Sequence, residues 1–495
     1  MRWSVGSRRP VTGKSLVRRL GTVLLGVAAV IATAVAVTLT VEARNQIFTA
    51  TDPGPRSGPP WNVGGMFTTG LTTADQGYFN DGSVDFNNTY VVPCSTGGCT
   101  TGQGLGPVFN ENQCSSCHAA PVPGGGAPSS NPVFSVYQLL GARNTMPWFE
   151  SQTGPVLVPR FPFLGDNVTP DDTVHQLFTI AGRSDAQQCS ISQPTWPTTP
   201  CSGSVSTNCV ALHQPLPVFG DGFLELYDNT TLTSNMSAVC ALTQFGICGT
   251  PNISGNDGSV LRLGWKAQWR GLTLAAGEEL NVESGVTNEF FPTELNQTSG
   301  CQLNPIPESG TNFTASPTGR TGQDQFVGAP TRMALFVRFL ASPTSIPLTP
   351  NDQTGQAQFL AIGCANCHSY PGTSTKPGSD PNMTTPASSV TALSNKSPNA
   401  YTDLLLHHMG SCLADGLTLG SAQGDMFRTP PLWGAGYRLF FLHDGREANL
   451  YNAIEDHFCL AGNGYPASEA NTVINNFNAL QPALQQDILN FIRAL

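Results

Sequence analysis

Hydrophobic positions along the chain fall into three patterns, each predicting a different element. Leu20 to Val41 is a 22-residue run without charge. Six basic residues precede it (Arg2, Arg8, Arg9, Lys14, Arg18 and Arg19). That length spans a bilayer, and the basic flank keeps the N-terminus in the cytoplasm. Val41-Glu42-Ala43 offers an A-x-A-like cleavage site, so both a cleaved signal and a retained anchor stay open. Ser7-Arg8-Arg9 lacks the apolar residues that a twin-arginine signal requires. Near the other end, Asp352 to Ile362 reads as an amphipathic helix. The C-terminal stretch from Pro482 places Leu484, Ile488, Phe491, Ile492 and Leu495 at helical spacing. Gly355 leaves room on the first of these helices for a close approach by another element. Between the extremes, 45–105 reads as an irregular lead-in rich in Gly, Pro, Asn and Thr, and 190–210 and 371–400 read as loops.

Composition narrows the picture. The 495 residues are 39% hydrophobic but only 11% charged, with 52 Gly and 39 Pro. This predicts packed cores joined by long irregular connections. Without residues 1–43 the chain keeps 17 basic against 32 acidic residues, a net of −15. Nucleic acid is thereby a poor partner, and a basic or neutral electron-donor protein or small redox carrier a better one.

Two copies of one pattern carry the chemistry: Cys114-Ser-Ser-Cys117-His118 and Cys364-Ala-Asn-Cys367-His368. C-x-x-C-H is the attachment site of a c-type haem: two thiols add across the vinyl groups and the adjacent imidazole reaches iron. A zinc site or a thioredoxin-like pair has no need of a His directly after the second Cys both times. The sequence therefore predicts two covalently bound haem c groups, with Cys114, Cys117, Cys364 and Cys367 as attachment points and His118 and His368 as iron ligands. A Phe stands five residues before the first Cys of each motif (Phe109, Phe359), a faint internal repeat. The other ten cysteines, an even number, read as disulfides of an exported protein, Cys94–Cys99 and Cys240–Cys248 being the natural local pairs. Cys412–Cys459 would tie two segments near the second haem. These readings place everything after about residue 44 outside the cytoplasm, in the periplasm or a similar compartment.

Further motifs follow in order: Asn110-Glu-Asn-Gln before the first Cys, Asn281-Val-Glu283-Ser-Gly-Val-Thr-Asn288, and Tyr401-Thr-Asp-Leu-Leu-Leu-His407-His408-Met409-Gly410. Leu413-Ala-Asp-Gly416, Met426-Phe-Arg-Thr-Pro-Pro-Leu-Trp433, Leu442-His443-Asp444-Gly445-Arg446 and Ala453-Ile454-Glu-Asp-His457 complete the set. From about residue 100 onward the chain resembles the di-haem c-type oxidoreductases, also called thiol oxidoreductases, a family similar to the bacterial di-haem cytochrome c peroxidases. The thiol label finds no support in the residues, since no Cys pair outside the haem motifs has C-x-x-C spacing.

The resemblance implies a mainly α fold of two cytochrome c-like domains with long irregular loops and little β. Residues 1–43 would be the signal or anchor, 44–345 the N-terminal haem domain and 346–495 the C-terminal one. It also implies roles. The relatives carry a distal Met fourteen residues past the His of the H-D-G motif; here that position holds His457, with Met409 as the rival ligand. Glu283 matches the distal acid that moves a proton across bound peroxide, although Ser284 stands where those enzymes have Met. Trp265 falls near the Trp between the haems. The first haem has no His at a comparable offset, the next ones being His175 and His213. The implied function is an exported oxidoreductase that reduces peroxide at the N-terminal haem with electrons entering through the C-terminal one. Its rivals are an oxidative enzyme acting on a protein or small molecule, and an electron-transfer cytochrome without catalysis.

Overall fold

A computed structural model describes residues 49–61, 66–94, 102–166, 168–171, 173–201, 208–311, 327–369, 385 and 388–495. The apolar run Leu20–Val41, Cys99 and most of the 371–400 loop lie outside the described residues. Among the described residues no helix is long and apolar enough to cross a membrane. The fold is mainly α-helical with minor β content, its strands paired in short two-stranded ladders.

The lead-in is not wholly irregular. Helix α1 (Thr73–Asn87) starts at a capping box in which Thr72 and Asp75 satisfy each other's backbone N–H groups. Its buried face carries Gly77, Phe79, Gly82, Asp85 and Phe86. A Cβ on Gly82 would stand 2.0 Å from the Arg332 carbonyl oxygen, so only glycine lets α1 meet the later helix 329–339. Asp85 pairs with Arg332 at 3.0 Å across that contact. Buried glycine and a buried ion pair on the core face hide the apolar period, which explains why the pattern reads as loop.

Strand β1 (Val108–Phe109) leads into α2 (Cys114–Cys117), a single turn. β2 (Val158–Arg160) and β3 (Phe178–Thr179) follow; β3 pairs antiparallel with β1, and β2 pairs antiparallel with β4 (Ala211–His213). Helices α3 (Leu272–Ser284) and α4 (Ala329–Phe339) pack on each other and complete the surround of α2. Phe109 is in a strand whereas Phe359 is in a helix, so the two Phe positions are not one repeated element.

In the C-terminal part, α5 (Pro350–Ile362) precedes the second C-x-x-C-H motif and crosses the last helix. β5 (Leu406–His408) and β6 (Met426–Arg428) form an antiparallel pair that sets His407 opposite Phe427. α6 (Leu450–Glu455), α7 (Asn471–Asn478) and α8 (Pro482–Ala494) close the bundle. A Cβ on Gly355 would lie 1.9 Å from the Asp487 carbonyl oxygen, so the α5–α8 crossing depends on that glycine. Ile488, Phe491, Ile492 and Leu495 are buried there as their spacing predicts, packed with Phe359 and Phe477. Val239, Phe245 and Ile247 join this core from the earlier sequence.

Disulfides Cys240–Cys248 and Cys412–Cys459 form as expected. Cys189–Cys301 and Cys201–Cys209 are additional. The 112-residue separation of Cys189 and Cys301 makes that bond the largest constraint on the unfolded chain, about 4–5 kcal/mol in the chain-entropy account. Cys94 is also disulfide-bonded, and its expected partner Cys99 lies outside the described residues.

Candidate functional site

Among the described residues the free cysteines are Cys114, Cys117, Cys364 and Cys367. Each pair opens onto its own large cavity. The N-terminal one has about 1470 Å³ of space including its mouth, the C-terminal one about 1390 Å³. One zinc ion cannot draw on both pairs, because they line different cavities.

At the N-terminal cavity, His118 follows the single turn of α2 with its Nδ1 3.2 Å from the Gly125 carbonyl oxygen. Phe86 packs against its ring. With Nδ1–H donating to that carbonyl, Nε2 would be the nitrogen offered to a metal, the arrangement that fixes a metal-binding imidazole. The walls come from α1 (Phe86), α3 (Leu272, Ala275, Ala276, Leu280), α4 (Met333, Val337) and β2. Glu283, on the last turn of α3, lines this cavity. Burial pushes its carboxyl up to about 7, against the lowering effects of the nearby Asn110 amide and the charge of Arg160.

Two acids that sequence reasoning gave no role stand beside it. Glu279, one turn earlier, is raised by burial and then by Glu283. Glu111 is pushed up to about 8 by burial, with Glu283 adding to the rise. One Glu111 oxygen accepts the Asn112 N–H at 2.9 Å and the other has no partner. Spacing offered one signal: Glu279 and Glu283 are four apart on one helix, hence on one face. Glu111 lies within a motif already singled out. His213 also lines the cavity, but its Nε2 is 2.9 Å from Asp415 Oδ2. His175 instead contacts Asp171 at 2.8 Å and is not on the wall.

At the C-terminal cavity, Gly363 closes α5 with φ +107°, turning the chain into the motif. His368 Nδ1 is 3.2 Å from the Tyr401 carbonyl oxygen, again leaving Nε2 as the nitrogen offered to a metal. Burial pushes this imidazole down to about 3, and the charge of His457 adds to the depression. His457 follows α6 and lines the same cavity; its Nδ1 lies 2.7 Å from the Ala453 carbonyl oxygen, so it too is set to present Nε2. Met409 is also on the wall. His407 is held between Asp403 (2.9 Å) and Glu469 (2.8 Å).

Trp265 lines both cavities. Its indole N–H donates to the Gln214 carbonyl at 2.8 Å, and its carbonyl accepts the Arg428 N–H at 2.8 Å. The next residue, Lys266, is fully buried, with Nζ 2.9 Å from Asp415 and 2.9 Å from the Gln423 carbonyl. Asp415 in turn reaches His213, whose neighbour Gln214 takes the Trp265 indole, so the turn is tied down from both sides. Arg428 also lines both cavities, and Arg438 lines the C-terminal one.

The donor set fits a covalent haem on each side: paired free thiols, an imidazole with its Nδ1 engaged by a carbonyl, and a large apolar chamber. Glu283 and Trp265 share a cavity with Cys114, Cys117 and His118. His457, Met409 and Trp265 share one with Cys364, Cys367 and His368.

Residues 214–495, more than half of the chain, match the model of a family described as di-haem oxidoreductase, putative peroxidase. Comparison with curated proteins returned no match. Among solved structures, the chain is similar to Kuenenia stuttgartiensis hydrazine synthase at 17% identity and TM-score 0.21, covering 36% of this chain and 60% of that one. It is similar to a MauG-like protein associated with microbial copper homeostasis at 16% identity and TM-score 0.27, covering 62% and 95%. The diheme peroxidase BthA from Burkholderia thailandensis matches at 14% identity and TM-score 0.29, covering 61% and 93%. Likenesses of this size carry no argument about activity.

Proposed function

Because the chain belongs to the di-haem oxidoreductase family, we propose that it is an exported two-haem enzyme that reduces peroxide in the cavity of His118. In this reading, electrons arrive from a donor protein or small redox carrier through the haem held by His368 and His457. The observation that supports it is the set of carboxyls with raised pKa, Glu283, Glu279 and Glu111, that lines the same cavity as the first C-x-x-C-H motif.

A haem held by His118, Cys114 and Cys117 would supply the redox chemistry of O–O bond reduction. The chain supplies proton management. Peroxide binds as an anion, so its proximal oxygen must lose a proton that the departing oxygen later regains. Glu283, with its carboxyl raised to about 7, is ionised enough to accept that proton near neutral pH and acidic enough to return it. Reduction of one peroxide to two waters consumes two protons in all. Glu111, raised to about 8, stays protonated at neutral pH and holds one of them close by. Trp265, pinned through Gln214 and Arg428, occupies the wall common to both chambers and gives electrons an aromatic stepping point. The domain division at residue 345/346 and the ligand pair His368/His457 belong to the same proposal.

A second reading, an electron carrier, draws on His213 and Met333, which also line the N-terminal cavity. Electron paramagnetic resonance of the purified protein separates the two. A high-spin ferric signal beside a low-spin one supports the enzyme; two low-spin signals with strong axial ligands establish the carrier.

A further inference from the structure

Arg438 carries a positive charge that the polypeptide does not balance. Its Nη2 donates to the Pro431 carbonyl at 2.5 Å, while Nε is buried without any partner. Among the described residues it makes no ion pair. Burial depresses its guanidinium to about 10, and the one charge that acts on it is the like charge of Arg428. Arg428 is itself buried and spends its hydrogen bonds on the Gly264 and Thr429 carbonyls, with Asp221 and Asp403 as the acids that act on it. Asp403 is already held by His407 at 2.9 Å. Arg332, Arg183 and Arg493 each meet an acid of the chain, Asp85, Asp185 and Asp52, and Arg438 has no such partner among the described residues. With its Nε unpartnered and no acid beside it among the described residues, Arg438 is placed to meet an anion from outside the chain.

Its position says which anion. Arg438 lines the C-terminal chamber that holds Cys364, Cys367, His368 and His457. It also lines a narrower cleft formed by Gln214–Pro217, Trp265 and Leu439–Leu442. Haem carries two propionate carboxylates on the edge opposite part of its attachment side, and guanidinium is the planar donor that suits a carboxylate. We propose that Arg438 receives a propionate carboxylate of the haem held by His368, at the seam between that chamber and Trp265, with Arg428 adding a second positive charge to the site. This rests on the two-haem reading above.

The consequence is electrochemical. A paired propionate adds little negative charge near iron, whereas an unpaired one stabilises the ferric state and lowers the midpoint potential. The test is a spectroelectrochemical titration of purified holoprotein as wild type, Arg438→Gln and Arg438→Lys, with haem content measured on each. Two haems in the wild type uphold the reading on which the inference rests; one or none refutes that reading, whatever Arg438 does. With two haems retained, Arg438→Gln should favour the ferric form of the low-spin C-terminal haem about tenfold, which for one electron is 59 mV. Arg438→Lys, keeping the charge, should recover most of that shift. An unchanged potential in Arg438→Gln overturns the inference. Should that variant fail to mature, resonance Raman of the wild type decides: a propionate bending band insensitive to deuterium exchange overturns it, and one that shifts supports it.

Discussion

Glu283→Gln tests the proton chemistry most directly, because it keeps the side chain's shape and removes its ability to titrate. The carboxyl stands at about 7 against an ordinary value of 4.5, chiefly because burial disfavours its charge. As the base that accepts the peroxide proton, Glu283 must be ionised in the free enzyme. About half of it is at pH 7, roughly a tenth at pH 6 and roughly a hundredth at pH 5, following the pKa. Peroxide turnover, measured as kcat/KM with an excess of reduced donor, should therefore rise about tenfold per pH unit up to about 7 and then level. Glu111, raised to about 8, adds a falling limb as its proton is lost above that value. In Glu283→Gln the rising limb should vanish, and the plateau should drop by about 10²–10⁴-fold, the usual size of a lost acid–base catalyst. Haem content and visible spectra should stay as in the wild type, since the glutamine still fills the same wall of α3. A variant with wild-type turnover and an intact rising limb would remove Glu283 from the mechanism and move attention to Glu279 one turn away.

Other perturbations follow from the same geometry. Arg160→Gln removes the positive charge that lowers Glu283, so the rising limb should move to higher pH; a limb that stays put or moves down would show that Arg160 does not act on this carboxyl. Cys364→Ala combined with Cys367→Ala should halve the pyridine haemochrome yield per chain, and retention of both haems would sink the covalent assignment. His457→Met should leave the second haem low-spin and raise its midpoint potential, because a thioether favours ferrous iron; an unchanged potential would pass the ligand role to Met409. Gly355→Ala forces a methyl to within 1.9 Å of the Asp487 carbonyl, so α5 and α8 must separate. A loss of about 1–3 kcal/mol is expected, the size of an overpacking defect, and an unaltered thermal midpoint would contradict so close a crossing.

What could be read from the sequence and what could not divides along physical lines. Covalent attachment needs a fixed spacing, so both C-x-x-C-H motifs stand out before any folding argument. Helix α8 was legible because its apolar positions keep a helical period, whereas its crossing with α5 at Gly355 was expected from the likeness to c-type cytochromes. Helix α1 was illegible because the property that seats it, glycine against the Arg332 carbonyl and Asp85 against the Arg332 guanidinium, removes the hydrophobic signal from its buried face. Glu111 and Glu279 escaped for a related reason. A carboxylate in a sequence looks solvated until the surrounding walls are known, and those walls come from α1, α3, α4 and β2, segments scattered from residue 86 to 337. Cys189–Cys301 likewise joins residues with no local cue to pair them.

The two chambers differ in a way that bears on the proposed direction of electron flow. The wall around His118 presents Glu111, Glu279 and Glu283 together with Arg160 and Arg428, and the raised pKa values of the three acids favour holding protons there at neutral pH. A reaction that takes up protons as it takes up electrons is favoured in such a place, because each proton offsets charge that burial would otherwise penalise. The wall around His368 is built differently. Val473, Ile474, Phe477, Ile488 and Ile492 exclude water, and His457 stands ready as a second strong ligand. If His368 and His457 both held a haem iron here, these apolar surroundings would suit passing electrons better than binding peroxide. Trp265 and Arg428 are on the wall shared by both chambers, so an electron leaving the apolar chamber meets an aromatic ring before it reaches the acidic one. The proposed order, entry at His368 and chemistry at His118, would have each chamber perform the step its own residues favour.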